Sequence, residues 1–235
     1  MSIQHYLKEI GRGKDGARAL RRHQAADLMG QLLDGQVDDL ATGAFCVAMR
    51  IKGETPEEMA GFLDAIHQRL PALAAPQQPW IVLPSYNGAR KLPVLTPLLA
   101  LLLAREGLPV LLHGSTTESS RTTSAQVLLA LGQAPATALT DIAPGQLLHC
   151  ATGALHTGLQ RLLNARAAIG LRNPSHSLVK LLNPLGRSGH DTLVVGSYTH
   201  PEYATSMAAT QALVGATALL LRGTEGEPVA DPRRH

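Results

Sequence analysis

The chain has 235 residues, of which 45% are hydrophobic and 17% charged, with a formal net charge of +3. That is enough apolar side chain for a sizeable core, and it excludes a disordered chain. Aromatic residues make up only 3%, so Leu, Ala, Val and Ile must build the interior, and a base-stacking surface is disfavoured. The isoelectric point near 9.1 is by itself weak support for a nucleic-acid partner. The distribution of charge says more. Residues 1–25 carry Lys8, Arg12, Lys14, Arg18, Arg21 and Arg22 against Glu9 and Asp15, whereas residues 26–75 carry three cations against eight carboxylates. Cys46 and Cys150 show no metal-binding spacing and read as buried free thiols in a reducing compartment. The polar, charged start has no leader pattern, and the apolar run at 98–104 is too short to span a bilayer. A cytoplasmic protein without membrane contact is expected.

In chain order, helices come first. Helical spacing predicts elements at 5–11 and at 22–33, the latter with Ala25, Leu28, Met29, Leu32 and Leu33 in phase and Gly35 as its stop. A helix at 39–51 places Leu40, Ala44, Val47 and Ile51 on one face. Thr55-Pro56-Glu57-Glu58 starts a further helix that runs to about residue 70, with Thr as N-cap, Pro at the first position and Glu58 at capping-box spacing. An Ala-, Pro- and Gln-rich linker at 72–79 follows. The pattern then alternates: strand 80–83, helix 96–105, strand 110–113, helix 124–131 stopped by Gly132, strand 147–150, helix 158–168, strand 193–197, helix 201–214 and strand 218–222. Such alternation implies a mainly parallel sheet. The expected architecture is an α/β protein with an N-terminal helical domain over 1–74 and an α/β domain over 75–235.

Between the first strand and its helix lies Ser85-Tyr86-Asn87-Gly88-Ala89-Arg90-Lys91. Strand, turn and helix is where α/β proteins hold phosphates, because the helix start presents unpaired N–H groups. A phosphate loop normally needs several glycines to close on its ligand. One glycine and two adjacent cations suit a surface for anions better than a cradle for a small phosphate ester. Two readings stand for Arg90 and Lys91, phosphate contact or a solvated turn. The same holds for Arg12, Lys14, Arg18, Arg21 and Arg22, a basic stripe or solvated helix ends. Arg121, among small hydroxyls before a helix, suits an oxyanion or simple capping. The histidines show no metal-ligand spacing and read as structural. No catalytic triad stands out.

Residues 35–62, GQVDDLATGAFCVAMRIKGETPEEMAGF, are similar to the N-terminal helical segment of the anthranilate phosphoribosyltransferases and the related thymidine phosphorylases. The match continues in order through His113-Gly114, SRTTSAQVLLALG (120–132), RAAIGLR (166–172) and GTEGEP (223–228). It covers nearly the whole chain and implies that family's fold. The departures fall on its chemistry. The family's glycine-rich pyrophosphate loop is replaced by Ser85–Ala89, its downstream phosphate contacts by Val94-Leu95-Thr96-Pro97, and the lysine before its histidine by Leu112. Its paired magnesium carboxylates align with Pro228-Val229, leaving Glu225 and Glu227 nearby, which read as solvated carboxylates at a strand end or, under the transferase alternative, as a weak magnesium site. Without those groups a pyrophosphate cannot be neutralised.

This pattern of losses closely resembles the YbiB branch of the superfamily, on IGRGK (10–14), PSYNGARK (84–91), LTPLLA (95–100), the segment 199–203 and RGTEGE (222–227). That resemblance implies homodimers formed through the helical domain and binding of DNA or RNA backbone without marked sequence preference. It implies no catalytic residue, no metal ligand and no cofactor. The residues it points to for phosphate contact are Ser85, Asn87, Gly88, Arg90, Lys91, His113, Arg121, Arg166, Arg172, Arg12 and Lys14. Arg166 and Arg172 lie where the enzymes contact their aromatic substrate, and a structural ion pair is the other reading for them. Chains of the family continue past this point, so elements completing the α/β domain are expected to be missing. The alternative function is a magnesium-dependent phosphoribosyl or glycosyl transferase.

Overall fold

The computed structural model describes residues 2–13, 15–73, 78–86, 88–115, 120–186, 191–223, 225 and 227. Helices α1 (Gln4–Ile10), α2 (Arg22–Leu33), α3 (Asp39–Lys52) and α4 (Pro56–His67) open the chain. Local chemistry sets their starts. The Asp38 carboxylate accepts the Ala41 N–H at 2.8 Å to begin α3. Thr55 and Glu58 form the expected reciprocal box at the start of α4. Glu58 is fully buried and does more than cap. It also accepts the Leu20 N–H at 2.9 Å and the Lys52 ammonium at 2.7 Å. One carboxylate thus ties the α1–α2 connection, the end of α3 and the start of α4.

Leu40, Ala44, Val47 and Ile51 share a face of α3 as expected, but that face points to solvent. Leu40 is 87% exposed and Ile51 65%, while Thr42, Phe45, Cys46 and Met49 face the core.

The remaining elements are β1 (Trp80–Pro84), α5 (Thr96–Arg105), β2 (Val110–Gly114), α6 (Ser124–Ala130), β3 (Leu147–Ala151), α7 (Thr152–Leu155), α8 (Thr157–Ile169), α9 (Ser175–Leu181), β4 (Thr192–Tyr198), α10 (Pro201–Leu213) and β5 (Ala218–Arg222). The short helices α7 and α9 are not among the expected elements, although Asn173-Pro174 before α9 is a local start signal and the Asn173 side chain accepts the Ser175 N–H at 3.0 Å. The strands form a sheet of order β3-β2-β1-β4-β5, parallel at every pairing. Along β1 the side chains alternate as a strand requires. Trp80 and Val82 join a core that runs without a break into α1–α4 and α8–α10. Ile81 and Leu83 join a second cluster under α5 and α6. The chain leaves β1 toward β2 on one side and returns to β4 on the other. The carboxyl edge at this switch point is where open α/β sheets hold ligands.

Helices α2 and α4 cross at Gly61. A methyl group there would run into the Arg22 carbonyl and come within 2.9 Å of the Ala25 Cβ. Helix propensity alone favours alanine at this position. We therefore expect Gly61→Ala to lower the free energy of unfolding by roughly 1–3 kcal/mol in urea denaturation, because backbone collision outweighs propensity. A stabilised variant would show that the crossing can open.

Candidate functional site

Parallel strands all deliver their following loops to one edge. The segments after β1, β2, β4 and β5 meet there. The turn after β1 is pinned by an isolated antiparallel bridge between Ala89 and Thr122. Gly88 has φ +56, and a side chain there would collide with the Thr122 carbonyl. The glycine is thus required by both conformation and space. Arg121 closes the other side, donating from Nη1 to the Gly88 carbonyl at 3.2 Å and the Glu225 carbonyl at 3.3 Å.

Two carboxylates from the segment after β5 fill this corner, contrary to the expectation of solvated strand-end groups. Glu227 is 3% exposed. Its Oε2 accepts the Ser85 hydroxyl at 3.0 Å and the Thr96 hydroxyl. Ser85 Oγ lies 2.7 Å from Ser124 Oγ. Burial pushes the Glu227 carboxyl above the usual range, against the lowering pull of Thr96, Ser85 and Lys180. Glu225 Oε2 accepts three successive backbone N–H groups, Arg90 at 2.9 Å, Lys91 at 3.2 Å and Leu92 at 3.4 Å. Desolvation raises its carboxyl, but the three amides and Arg121 outweigh that and hold it below the usual range. Among the described residues Glu225 is the one non-glycine residue with a positive φ, +53, a conformation that costs about 1–2 kcal/mol.

The predicted contacts divide accordingly. Ser85, Gly88, Arg90, Lys91 and Arg121 come together. The Ser85 hydroxyl is committed inward to Glu227 and so is not a phosphate contact. The side chains of Arg90 and Lys91 are exposed and make no hydrogen bond or ion pair among the described residues. Asn87 and Lys14 lie outside the described residues. Arg12 pairs with Glu9 at 2.7 Å on its own helix end. Arg22 is not part of a free basic stripe. It chelates Asp64 at 2.6 and 2.8 Å and donates to the Leu213 carbonyl, clamping α2 and α4 to the end of α10. His113 does not reach the site expected of it. It is fully buried on β2, with Nε2 placed 3.0 Å from the Leu182 carbonyl to donate to it, so it cannot meet a phosphate.

Beside the corner lies a cavity of about 290 Å³. Arg50 and Glu54 line it from the helical segment, Arg172 and Lys180 from around α9, and Tyr198 to His200 from the end of β4. Arg172 lines it and Arg166, on α8, does not. Lys180 was missed in the sequence, although a lone cation in the apolar run LVKLL (178–182) was the signal. Desolvation first, then Arg172 and Arg121, lower its ammonium below the usual range, while Glu227 opposes them. Lys180 therefore lies electrostatically between cavity and corner. Burial likewise pushes the Glu54 carboxyl up. As for magnesium, the Glu225 and Glu227 carboxylates are already matched by amides and hydroxyls. Among the described residues no three His, Cys, Asp or Glu groups converge. In this arrangement both carboxylates are turned to the protein's own donors.

Residues 4–69 match the helical bundle domain of the glycosyl transferase family. The chain is 39% identical over 240 residues to the uncharacterized protein YbiB of Escherichia coli K12, covering all of this chain and 74% of that one. It is 30% identical to the anthranilate phosphoribosyltransferase of Methylobacterium nodulans, covering 80% of this chain and only 56% of the enzyme. The fold is similar to that of anthranilate phosphoribosyltransferase from Thermus thermophilus, with a TM-score of 0.71 at 25% identity over 95% of this chain and 67% of that one. No helix among the described residues is long and apolar enough to cross a membrane.

Burial depresses His113 to about 4 from 6.5. A base with a depressed folded-state value favours the folded state above 6.5, and that contribution is lost as pH falls from 6.5 toward 4. Stability should thus fall by roughly 2 kcal/mol from this residue between pH 7 and 5. His67, His149 and His156, also lowered chiefly by burial, act in the same direction. Urea denaturation across this range should show a shallower decline for His113→Leu than for the parent chain.

Proposed function

The chain belongs to the glycosyl transferase family 3, anthranilate phosphoribosyltransferase-like superfamily, and on that premise we propose that it binds nucleic-acid backbone without marked sequence preference rather than transferring a phosphoribosyl group. One observation carries the reading. The polar interior of the corner is filled by the chain's own Glu225 and Glu227, while the cations beside it, Arg90 and Lys91, project outward without partners among the described residues. A small sugar pyrophosphate needs the interior. A long polyanion needs only the rim, where lysine and arginine neutralise successive phosphates. Arg121 and Arg172 extend the same positive edge.

A second copy of the chain would double this surface. The outward apolar stripe of α3, with Leu40 87%, Val47 36% and Ile51 65% exposed, supports self-association through the helical segment. Two buried, unpaired cysteines suit a reducing compartment such as the cytoplasm.

The test is fluorescence anisotropy of a labelled single-stranded oligonucleotide at several salt concentrations, with phosphoribosyl pyrophosphate plus magnesium as competitor. We expect steep loss of affinity with salt and no displacement. Replacing Arg90 and Lys91 together by alanine should reduce the salt slope by roughly 1–2. An unchanged slope would remove this loop from the interface, and displacement by the sugar pyrophosphate would favour the transferase. Sedimentation velocity should show a dimer that Leu40→Glu with Ile51→Glu converts to monomer.

A further inference from the structure

We propose that the amides of Arg90, Lys91 and Leu92 form a binding site for one phosphate oxygen and that Glu225 occupies it in the free protein, so that a phosphodiester binds by displacing an internal carboxylate. The inference deepens the nucleic-acid reading and rests on it only for the identity of the ligand. Three consecutive N–H groups converge on the single atom Oε2 of Glu225, at 2.9, 3.2 and 3.4 Å. Convergent amides on one anionic oxygen are the geometry of oxyanion recognition. A carboxylate oxygen and a phosphate oxygen match in charge and in acceptor chemistry. The oxygen bound here belongs to a residue more than 130 positions away in the chain, so the turn does not need it for local closure. The Ala89–Thr122 bridge and Gly88 already fix the backbone.

Glu225 differs from its neighbour in how it is held. Glu227 sits among Ser85, Thr96 and Lys180, and removing it would leave buried hydroxyls unmatched. Glu225 is part-exposed and its backbone is in the left-handed region. Such a conformation persists only where contacts enforce it. Among the described residues the contacts that hold it are the three amides and the bond from Arg121 to its carbonyl. Release of the side chain therefore needs no opening of the core. It relaxes an unfavourable backbone state and leaves the charges of Arg90 and Lys91 without the offsetting carboxylate. The seated and released forms are two states that a phosphate oxygen distinguishes, so the carboxylate lowers apparent affinity by the fraction of time it is seated.

The full-length chain is titrated with inorganic phosphate, following the backbone N–H signals of Arg90, Lys91 and Leu92 by NMR, and with a labelled oligothymidylate by anisotropy. Glu225→Ala should tighten both by roughly tenfold. Glu225→Gln, whose neutral oxygen still accepts, should tighten them less. Glu106→Gln, which removes an exposed charge at the end of α5, should change both by less than about twofold. Equal tightening by Glu106→Gln and Glu225→Ala, or none by Glu225→Ala, would overturn the proposal. If the parent chain binds the oligonucleotide and Glu225→Ala changes nothing, the internal carboxylate has no competing role while the nucleic-acid reading stands. If Glu225→Ala takes phosphate more tightly at the three amides and no form binds the oligonucleotide, the displacement stands and the nucleic-acid reading falls.

Discussion

A carboxylate taken out of water costs several kcal/mol unless donors meet its oxygens, and Glu227 is almost wholly out of water at the carboxyl edge of the sheet. Its partners come from separate elements. Ser85 follows β1 and Thr96 is the first residue of α5, while Lys180 on α9 adds electrostatic attraction without a hydrogen bond. Satisfying this one group fixes the segment after β5 against the turn after β1 and the start of α5. The position of Glu225, two residues earlier in the chain, follows from that anchorage. The polar corner is then an internally neutralised unit rather than an open basin.

The same economy of buried charge organises the helical half. Glu58 and Lys52 pair at 2.7 Å with side chains 0% and 8% exposed, and the Leu20 N–H and the Thr55 N–H use the remaining lone pairs of Glu58. A buried pair of this kind is strongly destabilising to break and only weakly stabilising against an apolar substitute. Its consequence is geometric, in that it sets where α3 ends and α4 begins. Arg22 extends the linkage from α2 through Asp64 to the end of α10. With the apolar core running unbroken from α1–α4 to β1, the helical bundle and the sheet edge are held in one arrangement. The α3 face bearing Leu40 and Ile51 is left outside it.

Arginines of similar sequence context end in different roles because of what their surroundings offer. Arg12 and Arg22 both sit in the basic N-terminal stretch. One bonds a neighbour on its own helix end and the other clamps distant helices. Arg90 and Lys91 find no carboxylate for their side chains among the described residues, and Glu225 is turned onto their backbone amides instead. The cationic charge of the turn is thereby left facing solvent while its N–H groups are satisfied.

Much of the fold was legible because its signals are local. The helix start at Thr55 and Glu58, the stop at Gly35 and the bounds of α2 and α5 rest on interactions within a few residues, and the alternation of strand and helix patterns is itself local although the parallel pairings it implies join distant strands. The turn at 85–91 was recognisable as a strand-to-helix turn bearing two cations for the same reason, since strand, glycine, adjacent cations and helix lie in one stretch of chain. Tertiary structure alone decided the rest. The periodicity of Leu40, Ala44, Val47 and Ile51 defines a face but not its direction, which depends on where α1 and α4 pack. His113 carries no mark in sequence that separates a surface imidazole from one enclosed beside the Leu182 carbonyl. Glu225 and Glu227 read as solvent-facing until the parallel strands bring the ends of β1 and β5 to the same edge. Burial and partnership between residues more than 130 positions apart depend on packing across the whole sheet, and no local pattern encodes them.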